Sequence, residues 1–138
     1  PTRRSYFLYL GRAVRNLVEN ALRETTEGGG EVRVEVDVEP ASGASPDFSG
    51  AAPPAAWALV RVIDSGPGVD PQKLERIFEP YFSTYESGTG LGLAITRRIV
   101  EEHGGTIEAR NRPGGGLAVI IRIPRTGENA RPELVENP

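Results

Sequence analysis

The amino-acid sequence predicts an α+β fold, a two-layer α/β sandwich in which a mixed sheet is covered on one face by helices. Three observations predict it. Apolar residues recur at helical spacing over 5–26, at Tyr6, Leu10, Ala13, Leu17 and Ala21, with Val14, Val18 and Leu22 widening the stripe. Strict alternation over 31–38 sets Val32, Val34, Val36 and Val38 against Glu31, Arg33, Glu35 and Asp37, the pattern of a strand with one wet face. The element order of helix, two strands, helix, helix and two strands then gives a sheet with enough helix to cover one side.

The first helix is stopped by Gly28-Gly29-Gly30. Residues 39–56 are Ala, Pro, Ser and Gly with almost no apolar bulk, so they read as a flexible hairpin loop. Trp57 to Ile63 forms the second strand, antiparallel to the first. Pro71 stands in first-turn position for a short helix over 71–77. Helical spacing resumes from Leu91 to Glu102 and is closed by Gly104-Gly105. Strands follow at 106–110 and 117–123, joined by a Pro-Gly-Gly-Gly turn. From Arg125 the chain is polar, with Pro132 and Pro138, which reads as a disordered tail or linker. The expected organisation is one domain over 1–124 and a tail over 125–138.

Composition narrows the function classes. One domain fits 138 residues, and a chain of that length can bury a core. The net charge of −3 argues against a duplex nucleic-acid partner, which requires a basic face. The absence of cysteine excludes disulfides and thiolate metal sites and fits a reducing compartment. No apolar run approaches the length of a membrane span, so this domain is expected to make no membrane contact. A start at Pro1 without Met suggests a fragment of something longer.

Four short motifs carry the chemistry. Asn16 and Asn20 lie four apart in Asn-Leu-Val-Glu-Asn-Ala and project from one helical face, with Arg23 a turn further on. A neutral amide oxygen suits a hard cation such as Mg²⁺, which takes few protein ligands and fills its shell with water and phosphate. Asp64 ends an apolar strand and opens Asp-Ser-Gly-Pro-Gly. A carboxylate there can accept from an exocyclic amine such as that of adenine, and Gly66 and Gly68 let backbone approach a flat base. Phe78 and Phe82 flank Glu79-Pro80, and Phe78 reads as core. In Gly88-Thr89-Gly90-Leu91-Gly92-Leu93 the glycines clear space for amide N–H groups to face an anion, beside a helix N-terminus. His103, the single histidine, stands at a helix end and reads as a cap. Singly, these have bland readings: solvated asparagines, a common turn, a Gly-rich loop.

Taken together and in this order, the four motifs resemble the ATP-binding domain shared by sensor histidine kinases, gyrase B, Hsp90 and MutL, and are most similar to the histidine kinase branch. The resemblance spans about residues 5–124 and implies the Bergerat fold. It implies Mg²⁺ on Asn20, and Asn16 ordering phosphates or metal waters. Arg23 stands where the family often has a phosphate-contacting Lys. Asp64 with Gly66 and Gly68 falls at the base. Phe82, Thr84, Gly88, Thr89, Gly90, Leu91, Gly92 and Leu93 fall on the lid and phosphate loop, with a short lid of Tyr85-Glu86-Ser87. Hydrolysing relatives carry a Glu where this chain has Asn16, which favours transfer to a histidine over hydrolysis.

The implied activity is that of a protein histidine kinase using ATP and Mg²⁺. The phosphoacceptor would lie on a separate dimerisation domain of the same protein, relaying to the receiver domain of a response regulator. The full-length protein would be a homodimer, with this domain cytoplasmic and any membrane anchor elsewhere. Alternatives on the same fold are a Ser/Thr protein kinase or a hydrolysing ATPase, and a third reading is a nucleotide-dead interaction module. Two positions depart from the family pattern. Tyr85 stands where Lys or Arg is frequent, and Leu117 where a Thr is frequent, so a hydrogen bond near the base is expected to be replaced by packing.

Overall fold

The computed structural model describes residues 3–25, 29–40, 56–82 and 91–125. Helix α1 spans Arg3–Thr25, followed by strands β1 (Val32–Pro40) and β2 (Ala56–Asp64). A 3-10 helix covers Leu74–Phe78, then come α2 (Gly92–Glu102), β3 (Thr106–Asn111) and β4 (Leu117–Arg125). The expected loop over 39–56 and the expected tail lie mostly outside the described residues; β4 itself runs on to Arg125.

The four strands form one sheet in the order β1-β2-β4-β3. The two-layer α+β architecture stands, but the expectation of a mixed sheet is corrected: every pair is antiparallel among the described strands. Helix α2 between β2 and β3 does make those two strands run in the same direction. They are not neighbours, because β4 turns back from β3 and inserts between them, as in a split βαβ unit.

One face of the sheet meets the helices. Leu17 and Ala21 of α1, Val100 of α2, and Ile77 and Phe78 of the 3-10 helix pack on Val62, Leu117, Val119, Ile121 and Ile123. The other face is not simply wet. Leu59, Ile63 and Ile120 are buried there, where Leu59 pairs with Arg122 and Ile120 with Arg61, whose long stems can lie over apolar neighbours.

Strand β1 departs from the expected inside-out pattern. Val32 packs against the core, yet Val34, Val36 and Val38 are 46%, 74% and 49% exposed. β1 is an edge strand, and the core residues that the helices contribute sit over its inner neighbours. Alternation separates the two faces correctly but cannot say whether a layer reaches them. The polar face carries charge pairs instead, with Arg33 on Glu35 at 3.3 Å and Arg61 near Glu35 and Asp37.

The short helix also differs from expectation, starting at Leu74 rather than 71. The Asp70 carboxylate accepts from the Gln72 N–H at 3.0 Å while its carbonyl accepts from the Lys73 N–H at 2.8 Å. That local turn consumes the first residues, and the remaining five close with 3-10 bonds. Helix α2 ends as the sequence anticipates. Gly104 takes φ +75°, its N–H donates to Glu101, and the Gly105 N–H donates to Val100 at 2.9 Å. His103 completes this end, with Nδ1 protonated and donating to the Ile99 carbonyl at 2.6 Å.

Candidate functional site

β2 delivers Asp64 to the sheet end, where α1 finishes and the β3–β4 turn folds over. Asp64 is only 3% exposed. Its Oδ1 accepts from the Gly66 N–H at 2.9 Å and from the Leu117 N–H at 3.2 Å. Its Oδ2 has no hydrogen-bond partner among the described residues. A buried carboxylate oxygen left open is costly unless a ligand or water meets it.

The surrounding backbone fixes this carboxylate. Arg112 Nη1 donates to the Asp64 carbonyl at 3.2 Å. The Ser65 N–H donates to Glu31 at 3.1 Å, and Ser65 Oγ accepts from the Glu31 N–H at 2.7 Å. Gly66 lies so close to the last turn of α1 that a Cβ there would stand 3.0 Å from both Glu24 Cβ and the Glu24 carbonyl oxygen. Leu117 fills the core with its side chain, while its backbone N–H supplies a hydrogen bond to the aspartate. Replacement of a contact by packing, as read from the sequence, is therefore only half of what Leu117 does.

Asn16 and Asn20 are half-buried on α1, beside buried Ala13, Leu17 and Ala21. Neither side-chain amide has a hydrogen-bond partner among the described residues. Asn20 lies one turn before Glu24, about 6 Å along the helix axis, so this strip of α1 leads directly to Gly66. Arg23 is exposed in the last turn. At the second helix, half-buried Leu91 precedes Gly92, and no described group lies within 4 Å of a Cβ built on Gly92. Leu93 packs against the core. Phe82 does too, with the Arg76 guanidinium 4.8 Å over its ring, and Phe78 is buried as expected. Thr84, Tyr85, Gly88, Thr89 and Gly90 lie outside the described residues. A groove of about 500 Å³ between the 3-10 helix, α2 and β3 holds none of the expected site residues.

Sequence reasoning missed Glu24, Arg112 and Gly116. Only Gly116 left a signal, in the three consecutive glycines that precede β4. Burial pushes the Glu24 carboxyl above its ordinary range, and the Asp64 charge adds to the effect. For a carboxyl with a raised folded-state pKa, folding is unpenalised when it is protonated, and the cost grows as pH rises through its titration. Glu24→Gln is therefore expected to raise the urea midpoint near pH 7 and to leave it unchanged near pH 4. An unchanged midpoint at both would refute the assigned burial cost.

The fold and the site together define an α+β domain with a buried carboxylate at the end of its sheet, and comparison with known proteins gives its family. Residues 8–127 match the histidine kinase-, DNA gyrase B-, and HSP90-like ATPases, and the chain belongs to that family. Among curated relatives, sensor histidine kinase GtrS of Pseudomonas aeruginosa is 38% identical over 122 residues, covering 87% of this chain and 22% of that protein. Sensor histidine kinase ZraS of Klebsiella oxytoca is 51% identical over 69 residues, covering 50% and 15%. The chain thus spans less than a quarter of the length of either relative. Among solved structures, the mycobacterial sensor histidine kinase MprB superposes with a TM-score of 0.66 at 31% identity, covering 86% of this chain and 71% of that one. Full-length ShkA, solved in complex with AMPPNP, gives a TM-score of 0.59 at 29% identity, over 84% of this chain and 21% of that one. The chain is a catalytic ATP-binding domain of the histidine kinase type.

Proposed function

We propose that this chain binds ATP with Mg²⁺ and transfers the γ-phosphoryl group to a histidine on a separate dimerisation domain of a homodimeric, two-component sensor kinase, for relay to the receiver domain of a response regulator. The observation that carries the reading is Asp64, buried, held through one oxygen by two backbone N–H groups and, among the described residues, open at the other. That open acceptor matches the amino group of adenine. Full-length ShkA, a structural neighbour, was solved in complex with AMPPNP, which supports an adenine nucleotide as the ligand.

Asn16, Asn20 and Arg23 would face the triphosphate, as would the amides at Gly88, Gly90 and the start of α2 around Leu91, Gly92 and Leu93. Thr84 and Thr89 are assigned to the lid and phosphate loop. Phe82, packed on the core, would anchor the near end of that lid. Among the described residues no three His, Cys, Asp or Glu side chains gather into a metal site. The donor set instead suits Mg²⁺ held on the Asn20 amide oxygen, which has no partner among the described residues, and on phosphate oxygens, where the ion would neutralise phosphate charge. Asn16 has an amide without useful basicity, so no described residue at that position can deprotonate water. In the transfer, an imidazole nitrogen forms a bond to the γ-phosphorus as the bond to the β–γ bridging oxygen breaks, ADP leaves, and the imidazole loses its proton.

The chain is expected to bind ATP in a Mg²⁺-dependent manner with negligible steady-state hydrolysis, and Asn20→Ala to remove the Mg²⁺-dependent part while adenosine still binds. Joined to a histidine-bearing helical hairpin, it is expected to incorporate acid-labile, base-stable phosphate that survives His103→Ala. Vigorous hydrolysis by the chain, or acid-stable label on Ser or Thr, would overturn the reading.

A further inference from the structure

Asp64 is followed by a loop, 65–70, that belongs to no strand or helix and leads into the turn at 71–73. One end of this loop is fastened at Gly66 and Ser65, as described above. The other end is fastened by Asn111, the last residue of β3. Its Nδ2 donates to the Val69 carbonyl at 2.6 Å, and its Oδ1 accepts from the Val69 N–H at 2.8 Å. A single side chain thus makes the two-way bond that a neighbouring strand would make, across 42 positions of sequence. Only one orientation of the amide satisfies both Val69 groups. Gly68 fits beneath it with φ +75°, and a Cβ there would stand 2.7 Å from Asn111 Oδ1.

We propose that Asn111 is a positioning residue for the base: it holds residues 66–69 where a purine can slide against them and reach the open oxygen of Asp64, without itself touching the nucleotide. The inference rests on the nucleotide reading above. Asn111 is exposed and lies outside the core. Loss of its side chain therefore frees the loop and leaves the sheet intact. Contacts to the phosphates come from α1 and α2, which Asn111 does not hold.

The test is calorimetric titration of adenosine and of Mg-ATP into the chain and its Asn111→Ala variant, with amide exchange at Val69 measured in the wild type. Both ligands are expected to weaken by the same factor, about tenfold for the loss of ordinary hydrogen bonds. The ratio of ATP to adenosine affinity and the thermal midpoint are expected to stay, and the Val69 N–H to be protected in the wild type. Unchanged adenosine affinity in a folded variant, or a Val69 amide that exchanges freely, would overturn the role. An Asn111→Ala chain that fails to fold would overturn it too, in favour of a structural one. Wild-type protein that binds neither ligand would instead bring down the nucleotide reading, and this assignment with it, whatever Val69 does.

Discussion

Gly116→Ala is expected to cost about 3 kcal/mol of stability or more, from two additive sources. Gly116 adopts φ +97°, a conformation that L side chains rarely take. A Cβ there would also overlap the Asp64 carbonyl oxygen and stand 2.9 Å from the Asp64 carbonyl carbon and 3.1 Å from Ser65 Cα. These neighbours are backbone and cannot rotate away, so relief requires the β3–β4 turn to lift from the end of β2. That movement also withdraws the Leu117 N–H from Asp64 and loosens the carboxylate. The measurement is a urea denaturation midpoint, with nucleotide titration on whatever remains folded. A variant with wild-type stability would refute the close approach.

Asp64→Asn is expected to leave the fold in place and to weaken ATP by about 1–3 kcal/mol, the range for a hydrogen bond to a charged group. The asparagine Oδ1 can still accept from Gly66 and Leu117, so the internal contacts persist. Its Nδ2 then occupies the open side and presents a donor to the donor of the adenine amine. Two donors facing each other repel, and the loss should be shared equally by adenosine and ATP. Calorimetry on a variant with native circular dichroism decides it. Unchanged affinity would make the adenine assignment wrong.

These substitutions show what the sequence makes visible. Asp64 could be placed at a strand end, followed by a tight turn, because an apolar run stops there and Gly66 and Gly68 follow. Helix limits were legible from periodicity and glycine, to within a few residues for α1 and α2. Strand order was not, since a helix between β2 and β3 says that they run the same way but not that β4 will part them. Nor was the exposure of Val36, because alternation records two faces and not what covers them. Leu117 shows a third limit: a side chain poor in hydrogen bonds hides a backbone amide that makes one. Glu24 and Arg112 sit in ordinary polar stretches, and their proximity to Asp64 exists only after the ends of α1 and β3 are both brought to the end of β2.

The strand order has a consequence for how the polypeptide comes off the ribosome. Among the described strands β4 is last in sequence but lies inside the sheet, between β2 and β3. Until it emerges, β1 and β2 form an isolated hairpin and β3 has no neighbour. Such strand edges are open to wrong partners during synthesis. The Leu117 amide that grips Asp64 belongs to that same late strand. The full set of hydrogen bonds on Asp64 is therefore completed in one step with closure of the sheet, and a nascent chain stalled before Leu117 has neither.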